Sequence, residues 1–111
     1  MSAKRVEALE VVQADLEYAR SFYESWKPGG GDEILQKYFD ALEWIEWNPD
    51  LFPRKFGVIQ RVLLKRSYFV VYFFQEPDRS VVVAVLDARR NPRIIRKMVH
   101  RRRRTSPMSK D

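Results

Sequence analysis

Arg89 and Arg90 stand at the end of the aliphatic run in "VVVAVLDARRNP". Val81 to Leu86 show no polar alternation, the pattern of a strand buried on both faces. Guanidinium groups stay charged and resist such burial, so a buried strand holds two arginines out at its end. Arg61, Lys65 and Arg66 bracket an earlier strand, where alternation puts Arg61 and Lys65 on one face with Leu63 between them. Arg93 and Arg96 follow the arginine pair. A rim that gathers these side chains can grip phosphates or stabilise the charge of a phosphorane-like transition state. Ion pairing with acidic helices is the competing use. The candidate catalytic groups are Arg61, Lys65, Arg89 and Arg90, with His100, the only side chain that titrates near neutral pH. The candidate contacts to a target or nucleic acid are Arg61, Lys65, Arg66, Arg89, Arg90 and Arg93.

Other chemistries are excluded by composition. The chain has no cysteine, which removes disulfides and thiolates, and one histidine, which removes a multi-histidine metal site. No metal and no cofactor is expected. Glu33, Asp40, Glu43 and Glu46 have the spacing of a solvated helix face, not of a paired-carboxylate site. The charge is divided unevenly. Residues 1–56 hold 7 Lys/Arg against 11 Asp/Glu, a net −4, whereas residues 57–111 hold 14 against 4, a net +10. Such asymmetry points to an acidic or polyanionic partner for the second half. The tail "HRRRR" suits nucleic-acid binding by counterion release, or docking to an acidic protein. The apolar runs at 68–74 and 81–86 are too short to span a bilayer, and the N-terminus has no run of signal-peptide length. The expectation is a soluble, cytoplasmic protein with no membrane partner.

The elements that must position these groups follow from periodicity. A short strand is expected within residues 4–12. Leu16, Ala19, Phe22, Tyr23 and Trp26 recur at helical spacing and predict a helix over 13–27, which "KPGGG" ends. A second helix is predicted from an Asp32 N-cap, with Leu35, Tyr38, Phe39, Leu42 and Ile45 as its apolar face and "NP" as its stop. "DLFPRKFG" reads as a loop. Strands are expected at 60–66, 68–75 and 80–87, with Pro77 in the turn between the last two, and a final helix at 92–101 with Pro92 in its first turn. The class is α+β, in the order β-αα-βββ-α. Residues 1–101 form a single domain in this scheme, and 102–111 a basic, disordered tail.

Four pieces carry a family resemblance: "ADLEYARSFYESW", "LQKYFDALEWIEWNPDLFP", "RVLLKRSYFVVYFF" and "VVVAVLDARRNP", in that order. Together they resemble the RelE/ParE superfamily, the toxins of type II toxin–antitoxin modules, over residues 5–97. The resemblance implies a helical hairpin packed on a twisted antiparallel sheet, and a cognate acidic antitoxin as partner. RelE-like members cleave mRNA in the ribosomal A site. They use basic residues on the sheet, an arginine in the middle strand, an arginine ending the last strand, and a tyrosine or histidine near the C-terminus. Here the middle-strand slot holds Phe69, and Arg89 or Arg90 fills the last-strand slot. The tyrosine slot falls near Ile95 or Arg96, with His100 about a helical turn beyond, and Arg61 and Lys65 remain as sheet bases. ParE-like members bind and poison DNA gyrase without a hydrolytic set. "SYFVVYF" and "DARRNP" look more like that branch, although Asp87 stands where a histidine often does. The resemblance thus implies a growth-inhibiting toxin with a replication target such as gyrase. Its alternatives are a ribosome-dependent mRNA endoribonuclease and a non-toxic basic binding module.

Overall fold

In the structure, a computed structural model that describes residues 3–105, the aromatic and valine runs form two neighbouring inner strands of one sheet. The elements are β1 (Arg5–Ala8), α1 (Val12–Glu24), α2 (Gly30–Trp47), a 3-10 turn (Pro49–Leu51), β2 (Arg54–Phe56), β3 (Ile59–Leu63), β4 (Phe69–Gln75), β5 (Arg79–Asp87) and α3 (Pro92–Arg104). The strand order is β1-β5-β4-β3-β2. Phe69 packs against Tyr18, Phe22 and Tyr23 of α1. Phe74, on the other face by alternation, lies under the Arg103 guanidinium of α3. Helices therefore cover the sheet centre on both sides, which is why Phe69–Phe74 and Ser80–Leu86 are all buried and why neither run alternates.

The α+β class with its helical hairpin is as the sequence implies, with differences of detail. β1 lies parallel to β5, so the sheet is mixed; the remaining pairs are antiparallel. Arg54–Phe56, expected as loop, is a short edge strand against Ile59 and Gln60 with an irregular register. Three residues and a bulge leave no alternation to detect. The buried face of α2 is Ile34, Tyr38, Ala41 and Ile45, rotated from the predicted stripe, and Phe39 is 53% exposed.

The start of α2 corrects the expected Asp32 cap. The cap lies three residues earlier, with Gly29 as N-cap at φ 88, the helix starting at Gly30, and Asp32 and Glu33 inside the first turn. Packing decides this. A Cβ on Gly30 would lie 2.4 Å from the Tyr23 carbonyl oxygen, and one on Gly31 would lie 2.6 Å from Arg20 Cγ. The glycines let the two helices touch, and Glu24 supplies the missing cap. Its carboxylate accepts the Gly29 and Gly31 amides at 3.2 and 3.0 Å, which hold its pKa below the ordinary value.

The last helix also runs further than expected. Arg102–Arg104, assigned by sequence to a disordered tail, are helical; residues 106–111 of that segment lie outside the described residues. Arg102 reaches across to α1, where its Nη1 meets Asp15 Oδ2 at 2.7 Å and its Nη2 meets Oδ1 at 3.2 Å. The same Nη1 donates to the Val83 carbonyl at 2.9 Å, and Val85 N–H donates to Asp15 at 3.0 Å. β1 pairs with β5 only from Arg79 to Val82. The ion pair thus closes the stretch of β5 edge that β1 leaves open, a stretch whose bare amides and carbonyls would otherwise carry a desolvation cost. No helix among the described residues is long and apolar enough to cross a membrane.

Candidate functional site

Two turns meet at one end of the sheet and build a basic, aromatic rim. The β3–β4 turn is closed by Ser67, whose hydroxyl donates to the Leu64 carbonyl at 2.8 Å and accepts Phe69 N–H at 3.0 Å. Arg66, in this turn, takes a left-handed φ of 58. The turn after β5 docks beside it, with Ala88 N–H donating to the Tyr68 carbonyl at 2.8 Å. Tyr68 N–H donates in turn to the Tyr23 hydroxyl of α1 at 2.9 Å, so the rim is fixed to the helical layer.

Arg89 is the centre of this rim. Its Nη2 lies 2.7 Å from Asp87 Oδ2 and its Nε 3.0 Å from Oδ1, a bidentate pair of the stronger, charge-assisted kind. The guanidinium sits 3.8 Å from the Tyr68 ring centroid and 5.8 Å from that of Phe22, close enough for cation–π attraction. Trp26 packs on both of these rings, at 5.2 Å from Phe22 and 6.2 Å from Tyr68, yet remains 61% exposed. Hydrogen bonding from Arg89 lowers the Asp87 pKa, and the same bond raises that of Arg89. The pair therefore stays ionised and oriented at neutral pH.

The structure sorts the sequence candidates. Lys65, Arg66, Arg89 and Arg90 all lie in the two turns at this end of the sheet. Lys65 falls beyond β3 and does not continue the face of Arg61, which is opposite Tyr72, further along the sheet. Arg93 belongs to the first turn of α3 and is exposed. His100 sits against Gly57, in the turn between β2 and β3 at the opposite end of the sheet. Burial, and the charges of Arg96, Arg104 and Arg103, lower its pKa. Phe69, in the slot where the resemblance implied an arginine, is 1% exposed among the aromatics of α1. Sequence reasoning missed Tyr68, Asp87 and Trp26 as members of the rim. Trp26 has the spacing of a core residue, but α1 ends at Glu24 and turns it outward.

A second feature lies at the β3 edge. α2, the 3-10 turn and β3 enclose a groove lined by Trp44, Leu51, Phe52 and Leu63, with Glu33, Lys37 and Asp40 along its α2 border and Lys65 and Arg66 at its β3 end. Trp44 and Leu63 are 57% and 60% exposed. Gln60 pins the groove wall by donating to the Pro49 and Phe52 carbonyls at 2.8 and 2.9 Å. β2 pairs with β3 only at Ile59 and Gln60, and Arg61 N–H finds the Pro53 carbonyl at 3.1 Å. Beyond it the outer backbone of Leu63 has no strand beside it among the described residues.

No family model and no curated protein matches the sequence. The fold does have a counterpart among solved structures. A chain of the chromosomal ParDE TA system from P. aeruginosa aligns with 75% of this chain and 94% of its own length, at a TM-score of 0.65 and 13% sequence identity. The chain has a RelE/ParE-like fold. The arrangement implied by the four sequence pieces is thus the arrangement observed. Within this RelE/ParE-like frame, the rim around Arg89 occupies the end of the two central strands and the groove occupies the β3 edge. Among the described residues, no group of three or more His, Asp or Glu is placed to hold a metal ion.

Proposed function

We propose that this chain is the toxin of a type II toxin–antitoxin pair, and that it inhibits growth by ParE-like binding to a protein of the replication machinery such as DNA gyrase. The observation that carries this reading is the state of Arg89. It is locked on Asp87 and stacked on Tyr68 in an exposed aromatic surface, while the lone histidine lies at the other end of the sheet. Arginine, tyrosine and tryptophan packed together are the makeup of a protein-binding hot spot. General acid–base cleavage needs a proton acceptor within reach of the reacting group; at the Arg89 rim the one carboxylate, Asp87, is already occupied by Arg89, which leaves only Tyr68 and Lys65 as groups of that kind. The ParDE likeness supports the toxin assignment at the level of fold.

The cognate antitoxin, in this reading, docks in the groove between α2 and β3. An apolar segment suits its tryptophan and leucine lining, with acidic side chains set against Lys65 and Arg66 and away from Glu33 and Asp40, and an extended stretch can add to the bare Leu63 edge. A cytoplasmic location follows from a gyrase target. The clustering of Lys65, Arg66, Arg89 and Arg90 favours the rival reading, a ribosome-dependent endoribonuclease. The deciding experiment adds the purified chain to cell-free translation and maps mRNA ends. Intact mRNA is expected. Cuts at A-site codons that disappear in Arg89→Ala or Arg90→Ala would overturn the proposal in favour of the nuclease.

A further inference from the structure

The four-arginine run at the end of α3 is divided by the helix. Arg102 and Arg103 turn inward, to Asp15 and to the Phe74 ring. Arg101 and Arg104 turn outward and continue a stripe that begins at Arg93 and passes through Arg96, Lys97 and His100. These positions recur at helical spacing, opposite the buried Ile95 and Val99. From Pro92 to Thr105 the chain has seven Lys/Arg and no Asp/Glu. None of the six stripe residues forms an ion pair among the described residues.

Helix stability does not account for the whole stripe. Cations in the last turn complement the helix dipole, which suits Arg101 and Arg104. Arg93 and Arg96 sit at the positive end, where the dipole opposes them and where no acidic side chain offsets it. His100 lies within this charge: burial lowers its proton affinity most, and Arg96, Arg104 and Arg103 lower it further. Such a concentration of uncompensated charge is the footprint of a polyanion partner.

We propose that the exposed face of α3 binds the phosphate backbone of duplex DNA, independently of the target bound by the Arg89 rim. From Arg93 to Arg104 the stripe spans about 17 Å of helix, against one duplex charge per roughly 1.7 Å of axis. Its chemistry differs from that of the rim and the groove. Ile94 is the one large apolar side chain exposed on α3, and no Phe, Tyr or Trp lies on the helix, whereas the core of a protein interface draws on aromatic anchors and is depleted in charge. The stripe is built from arginine and lysine, whose main use on DNA is to grip phosphates, and it holds no Asn or Gln to read adenine, so backbone contacts supply the affinity proposed here. The major groove of B-form DNA, about 12 Å wide, admits an α-helix. The deep, narrow major groove of A-form RNA does not.

The test is fluorescence anisotropy of a labelled duplex DNA titrated with the full chain over a series of salt concentrations. With four to five phosphates neutralised, log K is expected to fall with log salt at a slope of about −4. The double variant Arg96→Ala/Arg101→Ala removes two exposed, unpaired cations and should reduce the magnitude of that slope by about 2. Circular dichroism and the urea midpoint verify that the variant folds, and Tyr68→Ala, at the rim, should bind DNA as the parent does. Three results would each overturn the proposal: no salt-dependent binding, an unchanged slope in the folded double variant, or tighter binding to a duplex RNA or to polyglutamate than to DNA.

Discussion

Replacing Arg102 with alanine removes the only side chain that α3 sends into the open edge of β5. Two contacts to Asp15 and one to the Val83 carbonyl are lost together. The side chains of Arg102 and Asp15 are 16% and 9% exposed, so water cannot fully replace the missing partner. Breaking a buried ion pair from one side costs roughly 3–5 kcal/mol. Asp15 retains the Val85 amide, which places the expected loss near the lower figure, about 3 kcal/mol. For a domain of this size that lowers Tm by about 12 °C. The assay is urea and thermal unfolding of the parent, Arg102→Ala, Asp15→Ala and the double variant. The cycle should give a coupling energy of about 2 kcal/mol or more, as contacting residues do. A coupling below about 0.5 kcal/mol, the worth of an exposed ion pair, would refute the clamp and leave α3 held by the packing of Ile95, Met98, Val99 and Arg103.

Three further outcomes are expected. Gly30→Ala drives a Cβ into the Tyr23 carbonyl and should cost about 1–3 kcal/mol of unfolding free energy, read as a lower urea midpoint. Gln60→Leu strips the Phe52 carbonyl of its donor and leaves the Pro49 carbonyl only the Phe52 N–H at 3.4 Å, and should cost about 1–3 kcal/mol, with binding of the proposed antitoxin weakened because the groove wall loosens. For His100 the folded pKa lies below the unfolded value, so the unfolded chain binds the proton more tightly. Its contribution to stability is therefore complete above the unfolded pKa and declines as pH falls toward the folded one. Urea midpoints taken on either side of about pH 6.5 should differ more in the parent than in His100→Asn, and an equal difference in both proteins would contradict the assignment.

Much of the fold was legible because the signals are local. The unbroken "VVVAVL" announces a strand covered on both faces, and its end fixes where Arg89 and Arg90 emerge. The helical hairpin follows from apolar spacing. What stayed hidden depends on residues distant in sequence. Gly30 and Gly31 read as breakers until the Tyr23 and Arg20 backbone is set beside them. Arg102 reads as one of four equivalent tail charges, since its partner Asp15 lies 87 positions away. The parallel β1–β5 pairing leaves no pattern in a four-residue strand. At the site, composition identified the cations but not their supports. Tyr68 appears as one aromatic among many in "SYFVVYFF", and only the docking of the two turns sets its ring under Arg89.

The central claim is that Arg89 works as an oriented, stacked element of a protein-binding surface and not as a bare charge. The most direct measurement is a gyrase supercoiling assay with the parent chain, Arg89→Lys and Tyr68→Ala. Lysine keeps the charge but cannot hold the planar bidentate pair on Asp87 while stacking on Tyr68. The parent is predicted to inhibit supercoiling, and both variants to lose that inhibition while remaining folded. No inhibition by the parent, or full inhibition by Arg89→Lys, would contradict the account.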